Sequence, residues 1–477
     1  MTQDRYRPLI ATCVLAGTLL IGLLLALGAP VRGESVVPPA ASTGDAFARV
    51  GASLQSTGSF TVELPLVLKV YPPPPPVFGV QMHTIAATHG LPEAVAGGAY
   101  WVRSGVFQWD RIEPVRTSPP TYHWEAVDEN SLRNAYENGL HAIATIQFTP
   151  SWAQKYLGSY CGPIVRDRFD EYAQFLAALV NRYKDPPYGV KYWELGNEPD
   201  HQMSYSREGF GCWGDAGGDP YYGGRYYGEM LKVAYPAIKA VDPGAQVLIG
   251  GLLLDCDPTN PPPGKDCTIS QFLEGILKSG GGPYFDIVSF HAYSYYGGAL
   301  GKMANSNWPG AVTAIPEKTA FLRGVLNRYG YGDKELINTE SALIWEHEDT
   351  ASLRETQGMY MPRAYAEALA LGLLGQVHYD MNGMWKNSGL LYPDLTPKPA
   401  YYAYKAASGF LSAVDYVGPA TNYPSGVQGY TFRQRDRSGY VDVIWSKSTV
   451  LVPVTLPVGV SAYTRYNEDL LPPIQIG

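Results

Sequence analysis

Basic charge is scarce in this chain. Lys and Arg number 36 against 44 Asp and Glu, a formal net charge of -8 over 477 residues. A nucleic-acid binder needs a basic face to neutralise phosphates, so that class is excluded. Charge of either sign is sparse at 17%, below the roughly 25% of an ordinary soluble domain. Cysteine is rare: five residues, none in the CxxC spacing of a zinc site. The eight histidines form no HxxxH pair or His-carboxylate cluster. Neither a metal nor any other cofactor is therefore expected. Only one apolar run is long enough to span a bilayer, which excludes a polytopic membrane protein. The hydrophobic content of 45% excludes disorder over the whole chain.

What the chain has instead is Gly (52), Pro (39) and Tyr (36). A rigid ring with a polar tip suits wet surfaces and sugar faces. The single apolar run, Leu9 to Ala29, follows Arg5 and Arg7. A basic start before an apolar stretch reads as an export signal, cleaved after Gly28 or Gly33, or as an uncleaved membrane anchor of spanning length. Either reading puts the rest of the chain outside the cytoplasm. Residues 1–33 are thus a signal or anchor. Residues 34–76, with VVPPAASTG and the polyproline run Tyr71–Val77, are a Pro-rich linker. The apolar stretch FTVELPLVLKV inside it reads as a strand or as part of the stalk. Four cysteines lie beyond the apolar run, and an even count in an exported chain points to disulfides. Cys256 and Cys267 flank a Pro-rich loop and are expected to pair locally. Cys161 and Cys212 would then pair with each other.

From Val77 short apolar runs alternate with helical segments. The expected strands are 78–83, 99–105, 141–148, 190–197, 246–251, 285–293, 335–340 and 375–382. The amphipathic helices between them cover roughly 124–138, 169–184, 225–241, 315–329 and 353–373. Eight strands alternating with helices over residues 77–410 indicate an α/β chain forming a (β/α)8 TIM barrel. A doubly wound sheet would carry a Gly-rich phosphate loop after its first strand, and FGVQMHTIA has none. Residues 411–477 change to period-two segments such as GYVDVIWS and read as a small C-terminal β-sandwich.

The active site of such a barrel lies at the C-terminal ends of its strands. Strand two ends near Arg103. Strand four runs through YWELGNEPD and ends in Asn197 and Glu198. Strand six carries His291 and Tyr293, strand seven ends in Glu340, and His83 ends strand one. Strand eight gives His378 and Tyr379, with Trp385 just beyond. Pro199 restricts the backbone of Glu198. A carboxyl group at the rim of a packed barrel is partly desolvated, which keeps it protonated as a general acid must be. Glu340, reaching the same cleft, could serve as a carboxylate nucleophile. Asp110, Glu113, Glu194, Asp200 and Asp380 read as structural or peripheral acids.

The NEP motif on strand four, the Glu ending strand seven, the strand-two Arg and the His-x-Tyr of strand six resemble clan A glycoside hydrolases. The segments WVRSGVFQWDRIEP, YHWEAVDENSLRNAYENGLHAIATI and TPSWA are similar to the family 39 type, which includes β-xylosidases and α-L-iduronidases. That resemblance implies a retaining O-glycosyl hydrolase, with Glu198 as acid/base and Glu340 as nucleophile. It implies Asn197 on the sugar 2-hydroxyl and Arg103 orienting the nucleophile and keeping it ionised. Tyr293 would donate to Glu340, and His291 would line the same subsite. Where many clan members stack a sugar on a strand-eight Trp, this chain has His378 and Tyr379, with Trp385 several residues later. A carbohydrate substrate is expected, with His83, Tyr379 and Trp385 as further contacts. A non-catalytic carbohydrate-binding protein on the same barrel and a transglycosylase remain alternatives.

Overall fold

The computed structural model describes residues 46–56, 58–68, 73–201, 213–214, 218–435, 439–448, 451–456, 459–466, 469–470 and 474–476. The apolar run 9–29 lies outside the described residues. Among the described residues no helix is long and apolar enough to cross a membrane. Within the unit preceding Pro75, two strands, Ala46–Ser56 and Gly58–Leu68, pair antiparallel. The stretch read as linker therefore carries a hairpin. The sequence marks only its second strand, because AFARVGASLQS is diluted by Gly, Ala and Ser.

In the second unit eight parallel strands form the barrel. They are β1 (Phe78–Gln81), β2 (Trp101–Gln108), β3 (His141–Gln147), β4 (Tyr192–Asn197), β5 (Gln246–Gly251), β6 (Ile287–Tyr296), β7 (Glu335–Ile344) and β8 (Gln376–His378). Each pairs with the next, and β8 pairs back onto β1, so the sheet closes and leaves no edge. Each strand is followed by a helix: α1 (Leu91–Ala96), α2 (Glu129–Glu137), α3 (Phe169–Tyr183), α4 (Tyr222–Val241), α5 (Phe272–Lys278), α6 (Ile315–Arg328), α7 (Ala351–Ala370) and α8 (Pro399–Leu411). Helix α3 buries Phe169, Tyr172, Phe175, Leu176 and Leu179, the stripe its sequence spacing dictates. Asp128 caps α2 by accepting from the Ser131 amide.

The barrel interior is layered. Trp101, Ile143, Leu248, Ile287, Ile337 and Val377, one from each of six strands, pack into a dry floor. Burial of such side chains stabilises by about 1.5–3 kcal/mol each. Above the floor the inward residues turn polar: Gln81, Arg103, Thr145, Glu194 and Ser289 are all buried. At the rim the pairing of β7 with β6 shifts register between Asn338 and Glu340. Such an irregularity re-aims the side chain beside it, and here that side chain is Glu340.

After α8 comes a three-stranded antiparallel sheet of β9 (Val414–Pro419), β10 (Val427–Gln434) and β11 (Tyr440–Ser446). Two short ladders, Val452–Val454 with Ile474–Ile476 and Ala462–Tyr463 with Asp469–Leu470, complete the C-terminal sheet elements. They stand where the sequence indicates a sandwich. Arg363 of α7 lies over the Trp445 ring at 4.9 Å, and the Tyr466 hydroxyl donates to Glu355 at 2.9 Å. Cys256 and Cys267 form the expected local disulfide, with Cα atoms 5.3 Å apart. The second expected pair involves Cys212, which lies outside the described residues.

Candidate active site

Arg103 is the hub of the polar layer. It is 2% exposed and donates from three nitrogens. Nε bonds Glu194 Oε2 at 2.6 Å and Nη2 bonds Asn197 Oδ1 at 2.7 Å. Nη1 bonds Glu340 Oε1 at 2.5 Å and Gln81 Oε1 at 3.2 Å. Burial works against the guanidinium charge, but the Glu194 and Glu340 carboxylates outweigh it and hold its pKa above the ordinary value. Glu194, read from sequence as peripheral, is fully buried and also accepts from Thr145 and Ser289, both at 2.9 Å. It sits inside β4, four residues before Glu198, which lies just past the strand's end.

Glu340 is gripped at both oxygens. Arg103 holds Oε1, and the Tyr293 hydroxyl donates to Oε2 at 2.5 Å. Glu198 approaches from β4. Its φ of 47° lies in the left-handed region, which costs a non-glycine residue on the order of 1–3 kcal/mol. That conformation turns the side chain off the strand axis into the mouth. One oxygen of Glu198, one of Glu340 and a ring nitrogen of His291 all lie within 4.8 Å of one another. By distance alone the trio could hold a cation. The Arg103 guanidinium on Glu340 and the tyrosine donor beside it instead make the arrangement an acid pair held by donors.

Burial pushes the Glu198 carboxyl up to about 7, against the opposing pull of Arg103 and Lys318. His291 is fully buried, so it reaches the acid pair from behind. Its Nδ1 lies 2.8 Å from Glu198 Oε1 and 3.5 Å from Glu340 Oε2. Burial draws the imidazole down to about 4, so the ring is neutral at ordinary pH. Its Nε2 has no hydrogen-bond partner among the described residues.

That nitrogen sits over Gly251, at the end of β5. A Cβ there would lie 2.2 Å from His291 Nε2 and 2.9 Å from Thr339 Oγ1. Only glycine lets the imidazole occupy this position. Gly251→Ala should therefore destabilise the fold by about 1–3 kcal/mol, the cost of forcing an extra methyl into a packed interior. Denaturant unfolding of the variant beside the parent checks this.

The other expected contacts gather at the mouth. Tyr379 has its ring 6.3 Å from Tyr293 and 5.3 Å from Trp385. Trp385 also meets Tyr293 edge-on at 5.3 Å and is 42% exposed, with the Lys386 ammonium 4.9 Å from its ring centre. His83 stands edge-on to Tyr379, and the Tyr379 hydroxyl lies 3.3 Å from its Nε2. His378 turns away: it is buried, and its Nε2 faces the Ser388 carbonyl at 2.9 Å. Tyr293, Tyr379 and Trp385 thus form an aromatic cluster at the mouth. Sequence reasoning missed Glu194, Gln81, Gly251 and Lys318. Only Glu194 carried a usable signal, a carboxylate inside an apolar strand run.

The fold is a (β/α)8 barrel, and solved structures share it. The chain resembles a family 39 glycoside hydrolase from the gut symbiont Bacteroides cellulosilyticus WH2 (18% identity, TM-score 0.62, covering 89% of this chain and 83% of that one). It also resembles a conserved exported protein from Bacteroides fragilis (12% identity, TM-score 0.60, 84% and 96%). A third likeness is to a family 30 subfamily 8 xylanase from Clostridium acetobutylicum (14% identity, TM-score 0.55, 83% and 91%). No family model matches the chain, and no curated protein does.

Proposed function

We propose that this protein is a retaining clan A glycoside hydrolase that cleaves O-glycosidic bonds of oligo- or polysaccharides by double displacement. The observation that carries the reading is the separation of Glu198 and Glu340, whose nearest oxygens lie within 4.8 Å. Retaining enzymes need their two carboxyl groups about 5–5.5 Å apart, whereas inverting ones leave roughly 6.5–9.5 Å for a water. Glu340, held at both oxygens, attacks the anomeric carbon and forms a glycosyl-enzyme. Glu198, lifted to about 7, donates its proton to the departing oxygen. It then takes a proton from the water that releases the sugar. Asn197 has its Oδ1 committed to Arg103 and offers its amide N–H groups to the 2-hydroxyl. Tyr293, Tyr379, Trp385 and His83 form the wall against which the sugar packs.

The xylanase and the family 39 likenesses support a carbohydrate substrate. Export is supported by the basic-then-apolar N-terminus and by the Cys256–Cys267 disulfide, which persists in oxidising compartments. The apolar run 9–29 would serve as signal or membrane anchor. The test is a panel of nitrophenyl glycosides and polysaccharides, followed by proton NMR of the first product released. The released sugar should carry the anomeric configuration of the substrate. Inversion, or no turnover across the panel, would overturn the reading.

A further inference from the structure

Behind Glu198 the structure closes a ring of contacts that the reaction itself does not use. Asp200, two residues on, is fully buried and accepts from the Leu253 and Leu254 amides at 2.8 and 2.9 Å. The Leu253 carbonyl accepts in turn from Lys318 Nζ at 2.7 Å. Lys318, on α6, is only 4% exposed, and the same Nζ donates to the His291 carbonyl at 2.8 Å. The His291 ring then meets Glu198 at 2.8 Å, which returns the path to its start. Every link is a hydrogen bond except the short covalent step through Pro199.

A buried lysine with carbonyl acceptors is unusual, because an isolated interior ammonium is costly to desolvate. A surface role is excluded by its burial. A purely local role would need one acceptor, yet Lys318 ties two different elements, the β6 strand and the loop after β5. The loop binds Asp200 next to the left-handed Glu198 turn, and the strand carries the His291 ring that meets Glu198.

We infer that Lys318 and Asp200 are positioning residues for Glu198. They lock its turn against Glu340 and flank it with one buried charge of each sign. The inference rests on Glu198 being the acid/base of the proposed reaction. The charges facing Glu198 are Arg103 from β2, Lys318 from α6, Asp255 from the loop after β5 and Asp200 on its own segment. From β6 and β7 it faces His291, Tyr293, Tyr295 and Glu340, and from β8 Tyr379. Lys318 faces Asp200, Asp255 and Glu198, with the Trp308 ring 5.8 Å away. Burial draws Lys318 down to about 8 and pushes Asp200 up to about 7, so both charges are costly to keep where they are.

The two residues act on Glu198 with opposite sign. Removing the Lys318 cation takes away an attraction for the Glu198 carboxylate and raises its titration midpoint. Removing the Asp200 anion takes away a repulsion and lowers it. The experiment uses the full chain labelled with carbon-13 at the glutamate δ carbon, with Glu198→Gln identifying the resonance. Lys318→Met should move the Glu198 midpoint up by about one pH unit, at the lower end of what a neighbouring charge produces. Asp200→Asn should move it down, and the double variant should bring it back toward the parent value. On a hydrolysed glycoside Lys318→Met should lower kcat about tenfold with KM little changed, as misplacement of one proton donor would. If Lys318→Met does not fold, Lys318→Gln takes its place in the comparison. Midpoints that stay fixed, or that move together in one direction, overturn the inference. Because the NMR titration needs no turnover, its failure is separate from failure of the hydrolase reading, which the Glu198→Gln rate decides.

Discussion

Glu340→Gln should leave a folded protein whose glycoside hydrolysis is slower by on the order of 10⁴-fold or more, as expected when the group that forms the covalent intermediate is lost. The amide is nearly isosteric with the carboxylate but carries no charge and cannot attack the anomeric carbon. The fold should survive because Arg103 does not depend on Glu340 alone. Its guanidinium keeps Glu194, Asn197 and Gln81 as partners. One amide oxygen can still accept from Arg103 or from Tyr293, though not from both with the same strength. A modest loss of thermal stability is therefore expected beside a near-complete loss of rate. Steady-state kinetics and a melting curve on the same preparation check both. A variant that keeps more than a small fraction of the parent rate would remove Glu340 from the chemistry.

The architecture behind that prediction was legible because a closed parallel barrel buries both faces of each strand. Its strands then appear as short apolar runs, and all eight fall where the runs lie. Polar residues ending those runs mostly point to the mouth, and this singled out Glu198, Glu340, Arg103 and Tyr293, while His378 turns away. What the sequence hid depends on packing between distant elements. Lys318 lies in a helix with Glu317, Arg323 and Arg328, and nothing in its spacing tells it from a surface lysine. Gly251 ends an ordinary apolar strand, and its need for glycine comes from an imidazole 40 positions away. His291 was placed on the right strand, but its direction depends on the Gly251 gap. Helix α5 escaped because its seven residues, Phe272–Lys278, are too few to show a period.

Glu198→Ala should produce a different signature from loss of the nucleophile. A general acid contributes typically 10²–10⁴-fold, and only where the departing oxygen needs a proton. Hydrolysis of an unactivated disaccharide or an alkyl glycoside should fall by about that range in kcat/KM. A glycoside of an acidic nitrophenol needs no such help, so its first step should be nearly unaffected. Its second step should still be slow, because no base remains to activate the water. The glycosyl-enzyme then accumulates, and a small anionic nucleophile such as azide, entering the space vacated by the side chain, should restore turnover as a glycosyl azide of retained configuration. The pH dependence gives an independent check. In the parent the proton on Glu198 is available below about 7 and is lost above it, so kcat/KM should fall on the alkaline side with a midpoint near that value. Glu198→Ala should erase that alkaline fall. An alkaline limb that persists unchanged in the variant would assign it to another group. A uniform loss across good and poor leaving groups would mean that Glu198 supports the site without transferring a proton.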